Sequence, residues 1–330
     1  MASLNVLKKE NKEGIEFEVN IKDIKSVFIF KRIFNFVTKL KLLDVIKYNK
    51  NSQNKLNINI NDYKEYSNLY SKIELEIKVV DKMYGKFINI IDKEEISYFH
   101  IYFNNNEIEI KRNDLKENDK VSVIKIIIDY KVKSLSQLFQ NCDCIESINI
   151  KKFYRNNIKD MSKMFYRCSS LKEIIFSSYN VDNIENMSNM FFGCSSLKEL
   201  NLSNFNTNNL KDMAYMLSGC SSLKKLDLSN FITNNVIDMS FLFDGCSSLI
   251  ELNVSSFNTK FVMYMNGMFH GCSSLKELDI SNFRNSDLMN VSFMFDGCKS
   301  LKKLKIGHFN ITNVSEKKNI FRGCIAELIF

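Results

Sequence analysis

From residue 131 to the end, apolar and polar positions recur with a period of 26 residues. Repetition of this length decides the fold before any local reading does, because one unit buries its apolar side only against its neighbours. Residues 186–205, NMSNMFFGCSSLKELNLSNF, serve as the type unit. Met187, Met190 and Phe191 fall at i, i+3 and i+4, the spacing of one buried helix face. Asn186, with Asp160, Asp212 and Asp238 in the same phase, predicts a capping side chain at the helix start. Gly193 predicts a left-handed C-terminal cap, where the missing Cβ removes a steric penalty. LKELNL then alternates, which predicts a short strand with Leu200 and Leu202 inward and Glu199 and Asn201 outward. The expected architecture is an α/β solenoid of leucine-rich type over residues 131–330, about eight units, with one short strand and one short helix per unit. Stacked at about 4.8 Å per unit, its sheet would be on the order of 40 Å wide.

The first and last units depart from the pattern. Leu135 and Leu138 stand where later copies carry Met, and Lys317 occupies a core methionine phase. Both units read as caps. Ahead of the repeats, Phe30, Ile33, Phe34, Val37, Leu42, Leu43 and Ile46 have helical spacing, with a break near Thr38. Residues 1–70 are therefore expected to form a helical segment containing a hairpin over 24–50. Residues 71–130 hold β-branched runs such as IELEIKVV and VSVIKIIIDY, separated by turn signals at Asn104–Asn106 and Glu117–Asp119. They predict a small β-rich unit docked on the first repeat.

Composition adds little to this picture. Hydrophobic residues make up 45% of the chain and charged residues 25%, values of a folded protein. The 46 basic and 38 acidic residues are spread along its length. Nucleic-acid binding needs a concentrated basic footprint, so no nucleic-acid partner is expected. Val27–Val37 is interrupted by Lys31 and Arg32 and is too short to span a bilayer. The first residues lack a signal-peptide pattern, so a cytoplasmic location is expected, with the cell surface as the alternative.

The nine cysteines are the tempting chemistry. Cys142, Cys168, Cys194, Cys220, Cys246, Cys272, Cys298 and Cys324 are each 26 residues apart, with Cys144 alone outside the series. Neighbours in such a row would lie about 4.8 Å apart with parallel side chains, a poor geometry for a disulfide. Zinc wants four tetrahedral ligands rather than a row. Reduced, buried thiols that act as small apolar groups are the expectation. His100, His270 and His308 share no register, and no nucleotide, metal or hydrolase motif occurs. The expectation is a chain with no catalytic residue, no metal and no cofactor.

The phrase L-x-x-L-x-L with M-F-x-x-C-x-x-L resembles the BspA-type leucine-rich repeat. It is most similar to the subgroup reading LSNFNTxNVxxMSxMFxGCSSLKEL, of mycoplasma-type surface proteins and protist chains. The resemblance covers about 190 residues. It implies a leucine-rich solenoid that binds other proteins, or adhesion at a surface, without a shared chemistry. The 24–50 stretch is similar to an F-box in its IFxxV…LLxVI…NK pattern, without the usual Leu-Pro start. That likeness implies an alternative role as a substrate adaptor of a ubiquitin ligase.

The function read from the chain is therefore that of a non-enzymatic protein-binding scaffold. Neither the partner nor the oligomeric state is specified by it. Repetition supplies an internal baseline for finding the site, since surface residues that break the consensus without a packing reason are candidates. Phe261 replaces a usual Asn or Ile, and Tyr264 replaces the capping Asp or Asn, which makes an aromatic pair. The second candidate is the outward strand face of Glu199, Asn201, Asp227, Glu251, Asn253, Glu277 and Asp279, a mostly acidic track suited to a basic partner.

Overall fold

The computed structural model describes residues 6–10, 16–20, 71–90, 93–177, 179, 182–284 and 286–330, with Lys50 and Asn54. The chain divides into two compact units, Met1–Asn68 and Leu69–Phe330. In the first, β1 (Val6–Glu10) and β2 (Glu16–Asn20) pair antiparallel, Val6 opposite Asn20. The hairpin expected over 24–50, with its F-box likeness, lies outside the described residues apart from Lys50.

The second unit begins with β3 (Ile73–Val79), whose side chains alternate between core and surface as the period-2 pattern requires. Gly85–Lys86 (β4), Phe99–Phe103 (β5), Glu109–Ile110 (β6), Asp114–Leu115 (β7) and Val123–Ile128 (β8) follow, with a 3-10 helix at Lys93–Tyr98. The solenoid supplies β9 (Ile145–Lys152) and β10 (Glu173–Phe176). These join the earlier strands in one six-stranded sheet, ordered β10-β9-β3-β8-β5-β6. β3 runs antiparallel to both β8 and β9, while β9 and β10 are parallel. The β-rich unit thus shares hydrogen bonds with the first coil, a stronger join than side-chain docking. Arg155 locks this corner. Fully buried, it donates to the carbonyls of Asp129 (3.2 Å), Tyr130 (2.9 Å) and Val132, and through Nε to Asn157 Oδ1 (2.8 Å). Burial pushes its guanidinium down to about 10, against the pull of Asp129.

The expected α/β solenoid is not what forms. From residue 71 on, no described residue is α-helical, and the repeats build a β-solenoid. The segment read as a helix is a ribbon of tight turns. Backbone N–H groups of Met187, Asn189, Phe191 and Gly193 donate across to the next coil, to the carbonyls of Asp212, Ala214, Met216 and Ser218, at 2.7–3.0 Å. The intervening residues close turns within the coil, Met190 to Met187, Phe192 to Asn189 and Cys194 to Phe191. A helix would spend every such N–H on its own coil at i−4. Here half of them stitch neighbouring coils together. The backbone cannot stay helical because it turns left-handed twice per unit, at Asn189 (φ 56°) and Gly193 (φ 70°) in the type unit. In later coils Tyr215 and Phe241 take the first of these positions despite a cost of about 1 kcal/mol each.

The predicted helix-capping residues act as turn formers. Asp160, Asn186, Asp212, Asp238 and Asn290 each accept from the backbone N–H two residues on, at 2.7–2.9 Å. Their backbones form a ladder of single bridges joining seven positions, Asp160, Asn186, Asp212, Asp238, Tyr264, Asn290 and Glu316. Strands on the other side are short: β11 (Lys225–Asp227), β12 (Glu251–Asn253), β13 (Glu277–Asp279), β14 (Lys303–Lys305) and β15 (Glu327–Ile329). All pair parallel in exact 26-residue register except β14 with β15, where the offset shortens to 24.

Burial follows the sequence pattern closely. Met187, Met190, Phe191, Leu200 and Leu202 are all buried, and Glu199 and Asn201 are exposed. Phe139, Phe165 and Phe191 stack at 5.4–5.5 Å, as do Phe243, Phe269, Phe295 and Phe321, with Leu217 interrupting the column. All nine cysteines are free. From Cys168 to Cys298 each thiol donates to a carbonyl of the preceding coil, for example Cys194 to Phe165 at 3.1 Å. The last unit, read as a cap, leaves Phe321, Ile325, Leu328 and Phe330 exposed.

Candidate functional site

The repeat turns one residue position into a row that runs down the solenoid, one member per coil. Nine residues before the cysteine, six successive members of that row, between Lys133 and Ser315, are Lys159, Glu185, Lys211, Ile237, Met263 and Met289. Backbone hydrogen bonds of 2.8–3.1 Å link each member to the next. In the first three of these six coils the row is ion-paired: Lys159 and Lys211 both reach Glu185 at 2.6 Å. These contacts, Lys159 first and then Lys211, hold the Glu185 carboxyl down at about 2. In the next three coils the row turns apolar while staying on the surface. Ile237 is 47% exposed and Met289 46%.

The predicted aromatic pair lies beside this apolar stretch. Phe261 is 51% exposed and Tyr264 37%, flanking Met263 in the same coil. Tyr264 keeps its place in the backbone ladder, accepting from the Met239 N–H at 2.9 Å, while its side chain replaces the turn-forming Asx group. Lys260 holds its ammonium 5.1 Å from the Phe261 ring centre. Isolated exposed apolar residues mean nothing, but a contiguous patch on a surface that is polar elsewhere marks an interaction site.

The strand-face candidates point outward, yet the track is less acidic than its carboxylates suggest. Glu251 pairs with Lys225 at 2.6 Å, Glu277 with Lys303 at 3.2 Å, and Asp279 with Lys305 at 3.3 Å. Asp279 is held below the usual carboxylate range first by the Ser281 hydroxyl, with help from the Ser281 N–H and Lys305. Asp227 is lowered chiefly by the Ser229 backbone N–H. Lysines occupy the same rows as the acids, one coil away, and neutralise three of the five predicted acids. Glu199, Asn201 and Asn253 are exposed on the same face.

Two further clusters escaped sequence reasoning. Tyr166 stacks on Phe192 and Tyr215 on Phe241, both at 4.8 Å, with the two pairs 6.4 Å apart. This half-buried stripe runs over the turn ribbon. The Phe241 ring covers Gly267, where an added Cβ would sit 2.3 Å from the ring and where φ is +60°. Beyond the stripe the same surface becomes polar. Ser218 donates to Asp244 at 3.0 Å, His270 meets Asp244 at 2.6 Å, and Arg322 meets Asp296 at 2.6 Å. Ser218 bonds the carboxylate rather than the imidazole, so these residues do not form a nucleophile–base pair. The signal for both clusters lay in the sequence, since the aromatics at 166 and 192 stand in phase with Gln140, Ser218 and Asp244, and those at 215 and 241 with Gln137, Lys163 and Asn189.

Burial, the first cause in each case, raises every ladder thiol, Cys246 and Cys298 to about 12, which keeps them protonated and unreactive. Among the described residues no group of His, Cys, Asp or Glu is placed to hold a metal ion, and no helix is long and apolar enough to cross a membrane. No curated protein matches the chain. A family-wide pattern does match, twice, over residues 133–248 and 219–327, and so covers the coils from the first to the last. The chain belongs to the family described as Mycoplasma protein of unknown function, DUF285.

Proposed function

We propose that this repeat protein is a non-enzymatic protein-binding scaffold of the BspA-type leucine-rich class, whose docking site is the apolar flank formed by Ile237, Phe261, Met263, Tyr264 and Met289. The observation that carries this reading is the change of character within one row. Coils of the same backbone hold Lys159, Glu185 and Lys211 in ion pairs, then expose Ile237 and Met289 to water on either side of a half-buried Met263. Nothing in the packing of the coil requires the change, because the charged version folds equally well next door. Methionine and aromatic side chains together make an adaptable apolar surface that takes up a partner's side chains. The family match and the solenoid support a binding role, and nine free thiols support a reducing, cytoplasmic compartment.

The test is a paired pull-down with full-length protein, wild type against Phe261→Ser with Tyr264→Asp, read by mass spectrometry. A partner held by the wild type and lost by the variant, at both low and high salt, is the expected result, with the melting temperature unchanged. Retention of every wild-type partner by the variant overturns the site.

A further inference from the structure

The strand side of the solenoid is not one sheet. Its parallel ladder stops after β10 and resumes at β11, and stops again between β12 and β13. Between β10 and β11, Glu199–Asn201 has the strand sequence but no ladder to either neighbour, and the Lys198 N–H alone reaches back to Lys172 O at 3.2 Å. An open groove of about 780 Å³ lies there, with Ile175, Phe176 and Leu200 on its floor and Lys198, Lys224 and Lys225 along it. A second groove of about 760 Å³ covers the other break, lined by Ile250, Leu252 and Lys276 and sharing Lys225 with the first. Together they form a trough running down the solenoid axis, too long and open for a compact small molecule.

Charge is sorted across this trough. The position just ahead of each strand carries Lys172, Lys198, Lys224, Ile250, Lys276 and Lys302, all exposed. Lys172 is taken by Glu146 at 3.0 Å. Lys198, Lys224, Lys276 and Lys302 have no acidic partner among the described residues, whereas Glu251, Glu277 and Asp279 are already paired. Free positive charge therefore lines one rim in two pairs, Lys198 with Lys224 and Lys276 with Lys302, separated by the exposed Ile250, beside a floor that includes the exposed Ile175. Glu173 and Glu199 also line the first groove. They oppose a uniformly charged polyphosphate, while a peptide can place apolar side chains over them and carboxylates at the rim.

We propose that this trough binds an extended peptide segment that alternates acidic and apolar residues, with its carboxylates on the lysine rim and its apolar side chains on the floor. The unladdered backbone of Glu199–Asn201 offers hydrogen bonds to the peptide main chain. This surface is separate from the Phe261 flank and stands whether or not that flank binds a partner. Its sign is also the reverse of the one the strand-face acids suggest from sequence.

The experiment is fluorescence anisotropy on the full chain with a labelled short peptide alternating glutamate and valine. Binding that weakens as salt is raised is expected. Lys198→Glu with Lys224→Glu should weaken it about tenfold or more without changing the melting temperature, and Ile175→Ser should weaken it several-fold at any salt. Phe261→Ser with Tyr264→Asp should leave it unchanged. The proposal fails if no binding occurs up to millimolar protein, or if the peptide with lysine in place of glutamate binds as well. It fails equally if a short oligothymidylate binds better than the peptide, which would mark a nucleic-acid surface, or if the charge reversals leave affinity unchanged.

Discussion

At one position of the repeat, coils 159, 185 and 211 hold a closed ion-pair row, and coils 237, 263 and 289 hold an apolar one, exposed at Ile237 and Met289 and half-buried at Met263. The two stretches share a backbone, a period and a core. Met187 and Met213 lie buried under the first as Met239 and Met265 lie under the second. What changes from charged to apolar is a row that touches water, while buried positions exchange one apolar residue for another, as Leu217 stands in phase with Phe243. A repeat protein thus carries its own control, in which shared features belong to folding and departures from them belong to recognition. Single-domain folds rarely allow that separation, because no second copy of a position exists against which to judge the first.

The largest effect that tests the comparison is in the core. Met265→Asp should cost several kcal/mol, as expected for an unpaired carboxylate in an apolar interior, while Met263→Asp, two residues away on the flank, should cost about 0.5 kcal/mol or less. Met213→Asp, under the charged half, should match Met265→Asp. Urea denaturation of the three variants decides it. Equal losses for Met263→Asp and Met265→Asp would show that the flank is not surface at all.

A second effect concerns the thiol column that runs through both halves. The buried thiols ionise far above their ordinary value, about 9, with Cys246 and Cys298 at about 12. In the unfolded chain they ionise from about pH 9, while the folded chain still holds its protons. Their contribution is therefore complete below pH 9 and is lost as pH rises toward 12. Stability measured across that range should fall. Cys194→Ser in the charged half and Cys272→Ser in the apolar half should each remove a similar share of the fall. Unequal shares would mean that the two halves differ inside as well as outside.

Rewriting the surface is a smaller perturbation. Ile237→Lys, Met263→Glu and Met289→Lys together would continue the charged row as far as position 289. Each should change stability by no more than about 0.5 kcal/mol, while partner capture through the flank is lost. A large drop in melting temperature would give the apolar row a packing role and remove its claim to function.

The smallest signal is electrostatic. With its carboxyl held at about 2, Glu185 keeps its pairing through the acid range and gives it up only as pH falls through that value. Since its pKa is lowered, whatever it contributes is present above the ordinary carboxylate pKa. Carbon-detected NMR titration should place Glu185 low, and Lys159→Met should move it up. An unshifted Glu185 in the wild type would dissolve the ion-pair half of the comparison.

The period, the buried positions and the inward and outward faces were all legible from residue types. The backbone that connects them was not. Met187, Met190 and Phe191 are buried at i, i+3 and i+4 in a helix and in a ribbon of turns alike, so the hydrophobic pattern cannot separate the two. The deciding fact is that the N–H groups of Met187, Asn189 and Phe191 go to another coil, and hydrogen-bond partners 25 residues away leave no local trace. Left-handed residues gave only a partial hint, because Gly193 announces one while Tyr215 and Phe241 do not. At the flank, Phe261 and Tyr264 stood out against their own unit, whereas Ile237 and Met289 emerge only when one phase is read down all the coils. Three of the strand-face acids are ion-paired with Lys225, Lys303 and Lys305, which sit in their rows a coil away and stand out only when those rows are read down the coils.

The ladder of single bridges from Asp160 to Glu316 joins each residue to the one 26 places on, and this has a consequence for the gene. Deleting codons 220–245 would bring Gly219 directly before Cys246, the same junction that Gly219 and Cys220 make now. Every surviving coil would still meet a neighbour of its own phase. Misaligned recombination between adjacent copies therefore yields a shorter or longer solenoid, not a broken one. Only steps of whole copies have this property, so the length of such a protein can drift quickly between lineages while its cross-section stays fixed.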